Sequence, residues 1–146
     1  MYDGKLQEKL SWAVARCRER GLRRTKAMEE VLRELIRRDG PVTLAELAVS
    51  ERLVEQCDKA TVYRLLMRLE EKGIVRRLGL HDRSTYFFFK YPGEHHDYLI
   101  CTACGTIEKL EIACPVEALE EEISKKSGFT RLYHELEFFG VCPACA

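Results

Sequence analysis

Two Cys-x-x-Cys pairs constrain this chain more than any other feature: Cys101-Thr102-Ala103-Cys104 and Cys142-Pro143-Ala144-Cys145, four of its seven cysteines. Two residues between thiolates let both sulfurs of a pair reach one ion from a tight turn, and two such pairs complete a tetrahedral S4 zinc site. A single pair could serve as a redox dithiol, and four cysteines could form disulfides; the doubled spacing favours metal, and a reducing compartment disfavours permanent disulfides. The 37 residues between the pairs are more than a simple zinc ribbon needs, so a helix must be folded into the gap. Pro115 suits a first helical turn, Val116, Leu119 and Ile123 form a stripe, and Gly128 is a stop. Strand patterns flank this helix, from Tyr98 to Leu110 and from Phe129 to Phe139. A small α/β domain closed by structural Zn2+ is expected here, the ion contributing folding free energy that so small a core lacks.

Charge divides the chain at a similar place. The totals balance at 24 basic and 24 acidic residues, but residues 1–90 hold 20 Lys and Arg against 14 Asp and Glu, while residues 91–146 hold 4 against 10. Pro and Gly interrupt the pattern at Tyr91-Pro92-Gly93-Glu94, which places a basic domain over residues 1–91 and an acidic one over residues 92–146. A composition of 46% hydrophobic and 33% charged residues excludes disordered, collagen-like and coiled-coil chains. The longest apolar runs, such as Trp12 to Ala15 and Tyr86 to Phe89, are far short of the roughly 20 residues that span a bilayer. The first residues lack the apolar core of a secretory signal, so a cytoplasmic location is expected, with no membrane partner.

The basic domain opens with helical patterns. Leu6, Leu10, Ala13, Val14 and Cys17 share one face between Lys5 and Arg20, and Met28, Val31, Leu32 and Leu35 share another between Thr25 and Arg38. Thr43-Leu44-Ala45-Glu46 is a capping box that starts a third helix. A fourth runs from an N-cap at Asp58 to a stop at Gly73. At 100° per residue its stripe is Val62, Leu65, Leu66 and Leu69, leaving Ala60, Thr61, Arg64, Met67 and Arg68 outward and Tyr63 on the flank. Two strand-like runs follow, Ile74 to Leu80 and Thr85 to Lys90, joined at His81-Asp82-Arg83-Ser84. Helices followed by a hairpin make a winged helix-turn-helix, so the whole chain is expected to be α+β. A slender, cationic, hydroxylic outer face suits entry into a DNA major groove: Arg64 and Arg68 toward phosphates or guanine, Thr61 and Tyr63 toward base edges.

Three of the four histidines lie in the acidic domain. In an extended His95-His96-Asp97-Tyr98 segment, His95 and Asp97 share one face and can bind one ion together, with His96 on the other. His134 alternates with Leu132, Leu136 and Phe138, so it is buried or bound. Imidazole and carboxylate ligands suit Zn2+, Fe2+ or Mn2+. Cys17 and Cys114 read as core or cap residues rather than ligands; Cys57, just before the fourth helix, is ambiguous, an accessible thiol being one reading.

Together these strings resemble the ferric uptake regulator family of metal-responsive bacterial repressors. The resemblance runs from about Gly21 to Cys145 through Gly21-Leu22-Arg23-Arg24-Thr25, Ala60-Thr61-Val62-Tyr63-Arg64, His95-His96-Asp97 with Cys101-x-x-Cys104-Gly105, and His134-x-Leu136-Glu137-x-x-Gly140-x-Cys142-x-x-Cys145. It implies a winged-helix DNA-binding domain, a C-terminal dimerisation domain and a homodimer that binds a palindromic double-stranded operator when metal is plentiful. Tyr63 and Arg64 would contact the major groove and Arg23 the minor groove. Cys101, Cys104, Cys142 and Cys145 would hold structural zinc, and His95, Asp97, Glu117 and His134 a second metal, with His96 the weaker candidate.

The family's interdomain sensing site is depleted. Pro41 stands in place of a histidine, Phe89 in place of a carboxylate, and Tyr98 in place of the last histidine of His-His-Asp-His. Sensing is therefore expected at His95, Asp97, Glu117 and His134. The alternatives are a zinc-stabilised regulator without a regulatory metal and a redox or peroxide responder. A zinc hydrolase using Glu117 as base would need an open coordination position. With no His-Glu-x-x-His, phosphate loop or serine nucleophile motif, neither catalysis nor an organic small-molecule substrate is expected. A protein-docking adaptor is opposed by the cationic outer face of the fourth helix.

Overall fold

Hydroxyl and carboxylate side chains that can take a free backbone N–H mark where the helices begin. In this computed structural model, which describes residues 2–79 and 85–146, α1 (Tyr2–Glu19) is followed by α2 (Lys26–Arg38), β1 (Val42–Thr43), α3 (Leu44–Ala48), α4 (Glu51–Gln56) and α5 (Lys59–Glu71). Thr25 Oγ1 accepts from Met28 N at 3.1 Å, Thr43 Oγ1 from Glu46 N at 3.1 Å, and Asp58 Oδ1 from Thr61 N at 2.8 Å. Gly73 takes the left-handed conformation (φ 75°) just past α5, where a side chain would be strained. The third helical pattern resolves into two short helices, because the chain breaks at Val49-Ser50 before Leu53 can turn inward.

Strands β2 (Val75–Leu78) and β3 (Tyr86–Phe89) pair antiparallel, Val75 opposite Phe89 and Leu78 opposite Tyr86. The turn expected at His81-Asp82-Arg83-Ser84 lies outside the described residues. Two-residue β1 joins the other edge of β3, giving the sheet order β1-β3-β2. A strand so short leaves no periodic signal. Leu10, Leu32, Leu35, Leu53, Val62, Leu66, Leu69 and Ile74 are fully enclosed in one core, each contributing about 1.5–3 kcal/mol by burial. Glu34 is buried beside it, its carboxylate accepting from Arg37 at 2.5 and 3.1 Å and from Arg38 at 3.1 Å. Met67, expected to face outward, is half-buried against the core because its flexible side chain reaches back over the edge.

The chain divides into two compact units, one ending at Glu94 and the other beginning at His95. The second contains β4 (Tyr98–Cys101), β5 (Ile107–Lys109), α6 (Glu117–Ser127) and β6 (Glu137–Gly140). The β4–β5 pair is antiparallel and the β4–β6 pair parallel, in the order β5-β4-β6. A parallel pair needs a crossover, and α6 supplies it. It ends at Gly128, whose φ of 77° closes the helix with an N–H bond to Ser124. Both strand patterns are shorter than expected: a turn interrupts the first at residues 102–106, and the second becomes β-paired only at Glu137. Few residues of this unit are buried, among them Tyr98, Ile100 and Cys101. The apolar stripe on α6 stays open, with Leu119 and Ile123 about half exposed. No helix among the described residues is long and apolar enough to cross a membrane.

Candidate metal centres and nucleic-acid interface

Parallel pairing of β4 with β6 sets Cys101 opposite Gly140, and Thr102 N donates to Gly140 O at 2.7 Å. Both Cys-x-x-Cys turns therefore leave the sheet at the same end. The sulfurs of Cys101, Cys104, Cys142 and Cys145 all lie within 4.8 Å of one another, with Cys104 Sγ and Cys142 Sγ 3.8 Å apart. Ligands about 2.3 Å from a tetrahedral zinc would be separated by about 3.8 Å, so the set fits Zn2+.

The electrostatics point the same way. Cys101 Sγ accepts N–H bonds from Cys104 at 3.4 Å and from Cys142 at 3.3 Å, which hold its thiol down to about 6. The Thr106 hydroxyl, 3.0 Å from Cys104 Sγ, lowers that thiol too. Cys145 is pushed up to about 12 by its neighbours, Cys142 first. Thiolates so close repel one another, and a cation at the centre removes the repulsion.

A second group forms in the same unit. His95 Nε2 and Asp97 Oδ1 are 2.8 Å apart, and the His95 and His134 ring centroids are 4.4 Å apart. His134 Nε2 is 3.1 Å from Cys114 Sγ, while His134 Nδ1 is hydrogen-bonded to the Glu120 carboxylate. Candidate ligand atoms of His95, Asp97, Cys114 and His134 lie within 4.8 Å of one another. Asp97 is only 4% exposed, an uncommon place for a carboxylate without a cation.

Cys114, read from the sequence as a core or cap residue, also lies in this group: the loop after β5, tied by a Leu110 N–Asp97 O bond of 2.9 Å, delivers it to the histidines. Burial, with Asp97 and Glu117 nearby, pushes its thiol up. Glu117 lies exposed at the first position of α6 and His96 is exposed too; neither joins the group. No sequence signal pointed to Glu120, which lies one helical turn beyond Glu117. Tyr98 is buried in β4, and Phe89, whose ring offers no metal-ligating atom, packs edge-on against Trp12 at 5.9 Å.

The basic unit presents α5. Val62, Leu66 and Leu69 are buried and Leu65 partly so, leaving Arg64 and Arg68 exposed, Tyr63 46% exposed and Thr61 half-buried beside them. Arg64 Nη2 donates to Thr61 Oγ1 at 3.2 Å. The arginines of α2 are engaged internally, Arg33 with Glu29 and Arg37 with Glu34, whereas neither Arg64 nor Arg68 has a carboxylate partner within ion-pair distance among the described residues. Arg23 is exposed in the loop before α2, while its neighbour Arg24 pairs with Glu29 at 3.1 Å. Cys57 caps the end of α4 half-buried, and burial followed by the Asp58 charge raises its thiol, unlike a reactive thiolate.

Residues 19–139 match the ferric uptake regulator family. A ferric uptake regulation protein of Legionella pneumophila is 36% identical over 93 residues, 62% of this chain and 65% of that relative, so the match spans just under two thirds of its length. The ferric uptake regulator of Helicobacter pylori, described as having three functional metal binding sites, superposes with a TM-score of 0.72. That superposition covers 96% of this chain and 93% of the other at 27% identity. A zinc uptake regulator complexed with zinc and DNA superposes at 0.58, covering 96% of this chain and 94% of the other at 31% identity.

Proposed function

This chain belongs to the ferric uptake regulator family, and we propose that it is a metal-responsive DNA-binding transcriptional regulator, a repressor that reads a palindromic operator as a homodimer. The outward face of α5 carries this reading. It sets Arg64 and Arg68 toward phosphates or guanine and Thr61 and Tyr63 toward base edges, while Arg23 reaches the minor groove from the loop before α2. The relative solved with zinc and DNA supports the same use of the fold.

The acidic unit supplies pairing and sensing. Phe138, Phe139 and Val141 stand exposed on and beside β6, and Leu119 and Ile123 on α6. A second copy covers such apolar surface, and its two-fold symmetry becomes the symmetry of the operator. The four thiolates hold structural zinc. The second divalent metal is held by His95, Asp97 and His134, with Glu117 at the rim. It ties down His95, the residue at which the second unit begins. Operator affinity rises with occupancy, since an ion that binds the operator-competent state more tightly shifts the population toward it.

Selection of binding sites from a random duplex pool tests the reading. The zinc-replete full chain should enrich inverted repeats whose half-sites lie about one helical turn apart. A pool that stays random contradicts it.

A further inference from the structure

We propose that Cys114 is a thiolate ligand of the second metal site, making with His95, Asp97 and His134 a mixed nitrogen, oxygen and sulfur set that selects Zn2+ over Mn2+ and Fe2+. The inference rests on the regulatory-site reading above and goes further by naming the fourth ligand and the class of ion.

Three observations converge on it. Cys114 Sγ lies 3.1 Å from His134 Nε2, and all four donor atoms fall within 4.8 Å. Donors at 2.0–2.3 Å from one zinc sit about 3.3–3.7 Å apart, so the Cys114–His134 and His95–Asp97 contacts need open by only a few tenths of an ångström to admit the ion. Asp97 is almost wholly enclosed and directed at the same point, where His95 Nε2 approaches it at 2.8 Å. Glu120 holds His134 Nδ1, the carboxylate–imidazole arrangement that fixes a ring with its other nitrogen toward a metal. Glu120 is thus a positioning residue.

Glu117 has a different place. At the first position of α6, whose cap residue Val116 makes no side-chain bond, its carboxylate offsets the positive end of the helix and remains in water. Cys114 precedes Pro115, which biases it toward extended backbone and keeps it outside the helix. A thiolate in the set discriminates against hard ions: sulfur favours zinc and cobalt, whereas carboxylate and water favour manganese.

Cobalt(II) titration of the full chain, with zinc retained on the four-cysteine site and checked by metal analysis, tests the inference. The first equivalent bound beyond that zinc should develop a thiolate-to-cobalt charge-transfer band in the near ultraviolet. Cys114→Ser should bind cobalt without that band and lose Zn2+ affinity by about 100-fold or more, at or beyond the upper end of supporting-partner losses, while Mn2+ affinity changes far less. Glu117→Gln, which leaves the thiol in place, should keep the band. Cobalt bound without the band in the unaltered chain, or a band lost in Glu117→Gln and kept in Cys114→Ser, overturns the role of Cys114 and leaves the regulatory site standing. No cobalt bound beyond the retained zinc overturns both.

Discussion

Cys104 Sγ and Cys142 Sγ lie 3.8 Å apart although 38 positions separate them in sequence. That contact closes the acidic unit at the far end of the β4–β6 pair, and little other burial holds the unit together. Structural zinc in small domains contributes about 10–16 kcal/mol at neutral pH. Cys142→Ser, or exhaustive chelation, should therefore unfold residues 95–146 and abolish dimer formation while the first unit keeps its helices. Circular dichroism and sedimentation check this; a dimer that survives complete removal of zinc contradicts it.

Arg64→Ala should weaken binding to a selected operator by about 1–3 kcal/mol, and Arg68→Ala, if it meets a phosphate, should flatten the logarithmic salt dependence by about 0.9 per subunit. Neither change touches the buried stripe of α5, so thermal stability should stay within about 0.5 kcal/mol. Fluorescence anisotropy at several salt concentrations measures both, and unaltered affinity in Arg64→Ala would favour a protein-docking role for this face.

Glu120→Gln should lower second-site metal affinity by about 10–100-fold without removing a ligand, since it loosens the orientation of His134. Competition with a metal-binding dye reads the change. Equal affinity in variant and parent contradicts the positioning role.

Glu34 gives the basic unit a pH-dependent contribution. Burial opposes its charge, yet the hydrogen bonds from Arg37 and Arg38 outweigh burial and hold its carboxyl below the ordinary value of 4.5. A carboxyl depressed on folding stabilises above its unfolded value, and that stability fades as pH falls through the folded one. Glu34→Gln should cost about 1–3 kcal/mol at pH 7, and the gap to the parent should shrink as acid protonates Glu34. Urea unfolding at several pH values checks it; a constant gap contradicts it.

Much of the architecture was legible because local chemistry and packing agree. Thr25, Thr43, Asp58, Gly73 and Gly128 each act where their capping preferences place them, and Val62, Leu66 and Leu69 bury the face their spacing predicts. The four zinc-site cysteines announced themselves by spacing. Cys114 did not: it belongs to no spaced pair, and tertiary contacts such as the Leu110–Asp97 backbone bond bring its loop to the histidines. Such a contact is set by tertiary structure and leaves no periodic trace. The break between α3 and α4 was hidden for a related reason, since Val49 is exposed while Leu53 is buried and a single apolar tally merges them.

Operator affinity measured before and after the second-site metal is stripped, with zinc on the four-cysteine site retained and verified, tests the central claim most directly. A metal-responsive regulator should bind at least about 5–150-fold more tightly when that site is filled, the range of ordinary allosteric coupling. Equal affinity in the two states would contradict it.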